Sequence, residues 1–164
     1  MAFQFTHGTI GAQPIATNST TQKHDLGEIV TATDPTYGVG EFIYLKGIGS
    51  TIVASQVTYN LSTFLTALAT SVVGVSNPVA IAMSACVANE FGWYQISGLA
   101  VAGKANTLSL APTAPMATAS GLIIDADTTN RLSGAVVAAV ASAKSDVTTV
   151  VVMISRPTTG GGEA

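Results

Sequence analysis

Few residues of this chain have types and spacing that chemistry could use. Gly98-Leu99-Ala100-Val101-Ala102-Gly103-Lys104-Ala105 satisfies most of a phosphate-binding loop, G-x-x-x-x-G-K. That loop ends in Ser or Thr because a hydroxyl must reach Mg²⁺, and Ala105 has none. It must also open a helix whose N-terminus faces phosphate, whereas Asn106 to Leu110 reads as a strand. Asp125-Ala126-Asp127 with Thr128, Thr129 and Asn130 gathers oxygens of the kind Ca²⁺ takes. Further acidic ligands and the loop glycine are missing, so a solvated turn before Arg131 is the better reading. His7 and His24 have no nucleophile or carboxylate constellation near them in sequence, and Asp25 beside His24 reads as surface pairing. Cys86 has no metal-ligand partner at finger spacing and reads as a small buried hydrophobe. The chain is therefore expected not to be an enzyme. No catalytic, cofactor-binding or metal-binding residue is predicted, and no cofactor.

Aromatic residues carry a different message. Phe91, Trp93 and Tyr94 stand beside Glu90 and Gln95. They suit a core strand, or a desolvated interface anchor, since Trp and Tyr concentrate binding energy. A carbohydrate platform built from Tyr37, Tyr44, Trp93 and Tyr94 is the weaker alternative. Phe3, Phe5, Ile10 and Ile15 are the apolar anchors of an otherwise polar N-terminal segment. With Trp93 and Tyr94 they form the expected interface set.

The elements that must position these residues are strands. Gly134 to Ala141 leads through Ser142-Ala143-Lys144-Ser145-Asp146 into Val147 to Ser155, a hairpin pattern rich in β-branched residues. Both faces of these strands are uncharged, which predicts that both are covered, one by the core and one by a neighbouring subunit. Further runs are predicted at residues 28–33, 41–46, 56–59, 78–83, 92–97, 107–110 and 122–124. Asp34-Pro35-Thr36-Tyr37-Gly38 is a turn. Leu61, Phe64, Leu65 and Leu68 follow helical spacing with Asn60 as a cap, so one short helix or helical turn is allowed there, against a strand-and-loop reading favoured by Thr63, Thr66 and Thr70. A weak repeat places Glu41 to Gly49 on Gly92 to Ala100, and argues against βαβ units. The expected fold is all-β, a compact β-barrel or β-tulip with an extended N-terminal arm and at most one short helix. Residues 1–25 form the arm, 26–156 the body and 157–164 a flexible tail. The arm is expected to gain order from a neighbour, because its few apolar groups do not offset the entropy of ordering.

Composition narrows the function classes. Charged residues make up 9% of the 164, against about 25% in ordinary soluble proteins. With 48% hydrophobic residues, disorder of the whole is excluded, and the charge deficit predicts a homo-oligomer. The six basic residues are scattered singly at a net charge of −3, so no nucleic-acid partner is expected. No apolar run is long enough for a membrane-spanning helix. Met1 to His7 lacks the basic start and apolar run of a signal peptide, which predicts synthesis in a cytoplasm.

The phrases Asp34-Pro35-Thr36-Tyr37-Gly38, Glu41 to Gly47, Pro78 to Ser84, Phe91 to Gly98 and Ile154-Ser155-Arg156-Pro157, in that order, resemble small tailed-bacteriophage head proteins of the capsid decoration, or cement, family. The resemblance spans most of residues 34–157 and rests on strand phrases, with no active-site signature. It implies a trimeric β domain on the outer surface of the virion capsid, bridging subunits of the major capsid protein, with the N-terminal arm reaching onto neighbours. A host-surface or carbohydrate-binding β module of a phage particle is the alternative expectation.

Overall fold

The computed structural model describes residues 4–5, 12–72, 75–105, 109–126, 131–139 and 148–160. In chain order the strands are β1 (Gln4–Phe5), β2 (Asn18–Ser19), β3 (Ile29–Asp34), β4 (Gly38–Lys46), β5 (Gln56–Tyr59), β6 (Thr66–Leu68), β7 (Val79–Ala82), β8 (Phe91–Gly103), β9 (Met116–Ala119), β10 (Leu122–Asp125), β11 (Ser133–Val137) and β12 (Thr149–Thr158). The protein is all-β, with no helix among the described residues. One large antiparallel sheet runs β1-β3-β4-β8-β7-β5-β6, with β12 on β8, β11 on β12 and β2 on the start of β8. No pairing of β1 with β6 closes that path among the described residues.

β8 is the spine. Its first half pairs with β4, Tyr44 opposite Trp93 and Leu45 opposite Gly92. Its second half pairs with β12, Met153 opposite Leu99 and Val151 opposite Val101. Ser97 faces both Glu41 and Ser155, which places β4 and β12 on opposite edges. Between the halves β8 carries one extra residue where Glu41–Phe42 answers Ser97–Gln95. Such a bulge bends and twists a strand. Gly98 follows it at φ +98°, a conformation that glycine adopts without a Cβ penalty. The two similar phrases of the sequence repeat are thus neighbours in one sheet.

Three apolar clusters follow. Phe42, Tyr44 and Trp93 project to one face of the β4–β8 pair and pack with Ile15, Ala32 and Met83. Ile43, Leu45, Tyr94 and Ile96 project to the other, with Val57, Ala80, Ala82 and Cys86. The third cluster lies between β8–β12–β11 and the separate β9–β10 hairpin, where Ala100, Val152, Ile154 and Val137 meet Met116 and Ile123.

Two sequence expectations, on the arm and on the tail, are corrected. The arm does not wait for a neighbour over residues 12–25. Gln13 and Ile15 are buried, and this segment covers the aromatic face of β4–β8. The physical reason is polar: Gln13 satisfies buried groups of the body, which apolar counting overlooked. The tail does not begin at 157, because β12 continues to Thr158 with Pro157 and Thr159 buried. Thr159 is held by Asn77 N–H donating to its Oγ1 at 3.0 Å and by its own hydroxyl donating to Val75 O at 3.0 Å. Residues 161–164 lie outside the described residues. The short helix or helical turn allowed after Asn60 is a single capped turn, within the expectation of at most one short helix. Asn60 Oδ1 accepts from Ser62 and Thr63 N–H at 2.8 and 2.9 Å, and the turn stops at Phe64, whose φ is +54°.

The terminal hairpin is as expected in pairing, β11 against β12, with its turn outside the described residues. Of its two faces, one is covered by the core. Ala135, Val137, Val150, Val152 and Ile154 are buried, whereas Val136 and Met153 are exposed in the single chain.

Candidate functional site

Trp93 and Tyr94 are both 0% exposed, so neither is an interface anchor. Trp93 Nε1 donates to Gln13 O at 2.9 Å, and its ring lies 4.9 Å from those of Tyr44 and His24. Gln13 is the hub here. Its Oε1 accepts from the Tyr44 hydroxyl at 2.8 Å, and its Nε2 donates to Thr17 O and Phe91 O. His24 accepts the Gln13 N–H at Nε2, 3.1 Å, which leaves Nδ1 to donate to Glu28 at 3.2 Å. His24 is therefore a clasp on the N-terminal segment, paired with Glu28 and not with Asp25. Ile15 is 2% exposed and belongs to the core, not to an outer contact. Phe3 and Ile10 lie outside the described residues, and Phe5 is placed only by the backbone pairing of β1. Of the four rings of the sugar platform, Tyr44, Trp93 and Tyr94 present no face to solvent and Tyr37 is half-buried, so the four make no exposed platform.

The chemistry-like motifs have structural explanations. Gly98 to Gly103 lies inside β8, paired along its length with β12, so its backbone is used by the ladder and cradles no phosphate. Asp125 ends β10 in solvent, and Asp127 lies outside the described residues. No group of three metal-ligating side chains occurs among the described residues.

Cys86 is buried beside Tyr94, as its composition suggested. Burial pushes the Cys86 thiol above its ordinary 9.0 and the Tyr94 hydroxyl well above its ordinary 10.0. The folded state thus keeps protons that an unfolded chain releases in alkali. By linkage, stability is intact below about pH 9 and falls as pH rises through the unfolded values. Urea midpoints measured from pH 8 to 11 are expected to drop, with Tyr94→Phe reducing the drop. A flat profile would contradict the burial assignment.

The outward face of β8, β12 and β11 is open to contact. Val136, Met153 and Leu99 stand opposite one another across three strands. Val151 and Val101 follow two residues along on the same face. Val136 and Met153 are 41% and 44% exposed, and the other three are half-buried. The row borders an open groove of about 430 Å³ lined by Thr113, Pro115, Arg131, Val136, Met153 and Ser155. The only described ion pair at this end of the sheet is Arg156–Glu41, 3.3 Å, near the bulge. Alternation along the strand gives such a face directly, and the uncharged hairpin in the sequence was its signal. The register that lines up the three side chains was not legible there.

Comparison of the chain with protein-family models, curated proteins and solved structures gave no match.

Proposed function

We propose that the protein is a structural, non-enzymatic capsid decoration protein. It sits on the outer surface of a bacteriophage head and strengthens contacts between major capsid subunits. The observation that carries the reading is the Val136–Met153–Leu99 row, continued by Val151 and Val101, an outward sheet face on which Val136 and Met153 are exposed among the described residues. A contiguous apolar patch of this kind marks an interaction surface. The resemblance of the strand phrases to cement proteins supplies the kind of partner. On this reading the protein functions as a homo-oligomer, a trimer by the same resemblance, and binds neither nucleic acid nor membrane.

The mechanism is burial and linkage. Apolar area removed from water contributes about 25 cal/mol per Å². A subunit that touches several capsid proteins makes their separation cost several contacts at once.

A Val136→Asp, Met153→Lys double variant tests this. Both side chains are solvent-accessible, so the fold is expected to change by no more than about 0.5 kcal/mol per site. Occupancy on purified DNA-filled heads, measured by co-sedimentation, is expected to fall about tenfold or more. Undiminished occupancy would remove the face from the proposal. Heads lacking the protein that resist heat as well as complete heads would remove the cement role.

A further inference from the structure

Gln13 fixes which nitrogen of His24 carries a proton. A backbone N–H can only donate, and that of Gln13 donates to Nε2 at 3.1 Å. That nitrogen therefore offers a lone pair, and the proton sits on Nδ1, facing Glu28 Oε2 at 3.2 Å. The ring is neutral in this arrangement, with its side chain only 8% exposed. A second proton has one place to go, Nε2, where it would set two donors against each other. A part-buried N–H stripped of its acceptor is costly.

The other groups around the ring do not depend on that lone pair. Glu28 holds Nδ1 whether or not Nε2 is protonated. Lys23 and Asp25, which line the open space beside His24 with Gln22 and Glu28, are exposed and opposite in sign, so water and salt screen them. The rings of Tyr44 and Trp93 lie 5.1 and 4.9 Å away, and burial raises the Tyr44 hydroxyl above its ordinary 10.0, which keeps it neutral in acid. These groups also stay in place if the stretch before β2 moves. β2 is paired with Gly92 and Phe91, and Lys23 N–H donates to the Tyr44 hydroxyl at 3.2 Å. Among the described residues, the Gln13 N–H is thus the hydrogen bond to His24 that a neutral ring makes and a charged ring cannot.

We infer that residues 12–17 are an acid-released strap: protonation of His24 at Nε2 expels the Gln13 N–H, and the strap lifts Ile15 off the aromatic face made by Tyr44 and Trp93. The sign follows from the lone pair. The contact is present while Nε2 is unprotonated and is lost as pH falls, and a proton that binds the lifted state better shifts the population toward it. Lifting also frees the Tyr44 hydroxyl and Trp93 Nε1, whose acceptors at 2.8 and 2.9 Å are both on Gln13. Acid therefore opens an apolar surface that neutral pH keeps covered. The inference does not depend on the capsid reading, because it rests on contacts within the chain at a different part of the molecule.

Hydrogen exchange of the full chain, followed by NMR and expressed as protection factors, tests this. From about pH 7.5 to about pH 5, the range in which imidazoles charge, protection of the Gln13 amide and of the indole N–H of Trp93, the one Trp of the chain, is expected to fall about tenfold. The β12 amides paired with β8 are expected to keep theirs. His24→Gln, which accepts a hydrogen bond and takes no proton, is expected to abolish the fall. Glu28→Gln is expected to move it to lower pH, because a carboxylate stabilises an imidazolium, and it keeps the test open if His24→Gln does not fold. No fall in the parent, a fall that persists in His24→Gln, or one whose midpoint Glu28→Gln leaves unmoved would overturn the proposal. So would a fall abolished by His7→Gln, the other histidine of the chain, or an equal loss of protection across β12, which marks global unfolding.

Discussion

Replacing Trp93 with alanine is expected to destabilise the protein by about 3–5 kcal/mol, the range for truncating a buried Trp or Phe. The side chain is 0% exposed and fills the space between β4, the start of β8 and residues 12–25. Its removal leaves a cavity lined by Phe42, Tyr44 and Ile15. It also strips the Gln13 carbonyl of its 2.9 Å donor, and a buried acceptor without a partner costs more than the bond was worth. For a chain of this length the melting temperature should fall by roughly 6–20 °C. Residues 12–25 should loosen first, because Trp93, Tyr44 and His24 are what hold Gln13. Proteolysis within 12–25, followed in the variant and the parent, checks this. A variant that melts with the parent and keeps that segment protected would place Trp93 outside the core. The same cost makes Trp93→Ala unusable as a probe of surface binding.

Replacing Gly98 with alanine is expected to have the next largest effect. Two costs add. A non-glycine residue at φ +98° is strained by about 1–3 kcal/mol. An added Cβ would lie 2.4 Å from Val39 O, a backbone atom that cannot swing aside, and relieving such a clash costs about 1–3 kcal/mol more. Gly49→Ala is the control. Its Cβ would meet nothing within 4 Å, so a change within about ±0.5 kcal/mol is expected. Urea unfolding of the two variants separates the effects. Equal stabilities would mean that the bend in β8 does not require glycine. Gly98→Ala should also shift the outward row, since Leu99 follows the bend directly.

The amino-acid sequence by itself determined the strand class and most strand positions. Residues 28–33, 41–46, 56–59 and 78–83 read as strands, and the structure has strands at Ile29–Asp34, Gly38–Lys46, Gln56–Tyr59 and Val79–Ala82. The Asp34 turn was equally legible, because a short acidic side chain before Pro-Thr caps its own backbone. Asp34 Oδ1 accepts from Thr36 and Tyr37 N–H at 2.7 and 3.0 Å. These are local matters, settled by side-chain stiffness and by hydrogen bonds spanning a few residues. β9 was missed because Met116-Ala117-Thr118-Ala119 carries no β-branched run, and its strand character comes from pairing with β10.

Only the tertiary structure decided what lies inside. The rings of Trp93 and Tyr94 project to opposite faces of one strand and are buried by different clusters, which a sequence pattern cannot distinguish from exposure. Gln13 looked like part of a solvated arm, yet its partners lie up to 80 residues away. Lys104 looked like a phosphate ligand and is buried at the end of a strand. The alignment of Val136, Met153 and Leu99 depends on two registers, that of β11 on β12, which carries a bulge at Ser133–Ala135, and the unbroken register of β12 on β8. Register is a long-range property: one residue of slip moves a side chain to the other face of the sheet, and nothing local in the sequence records it.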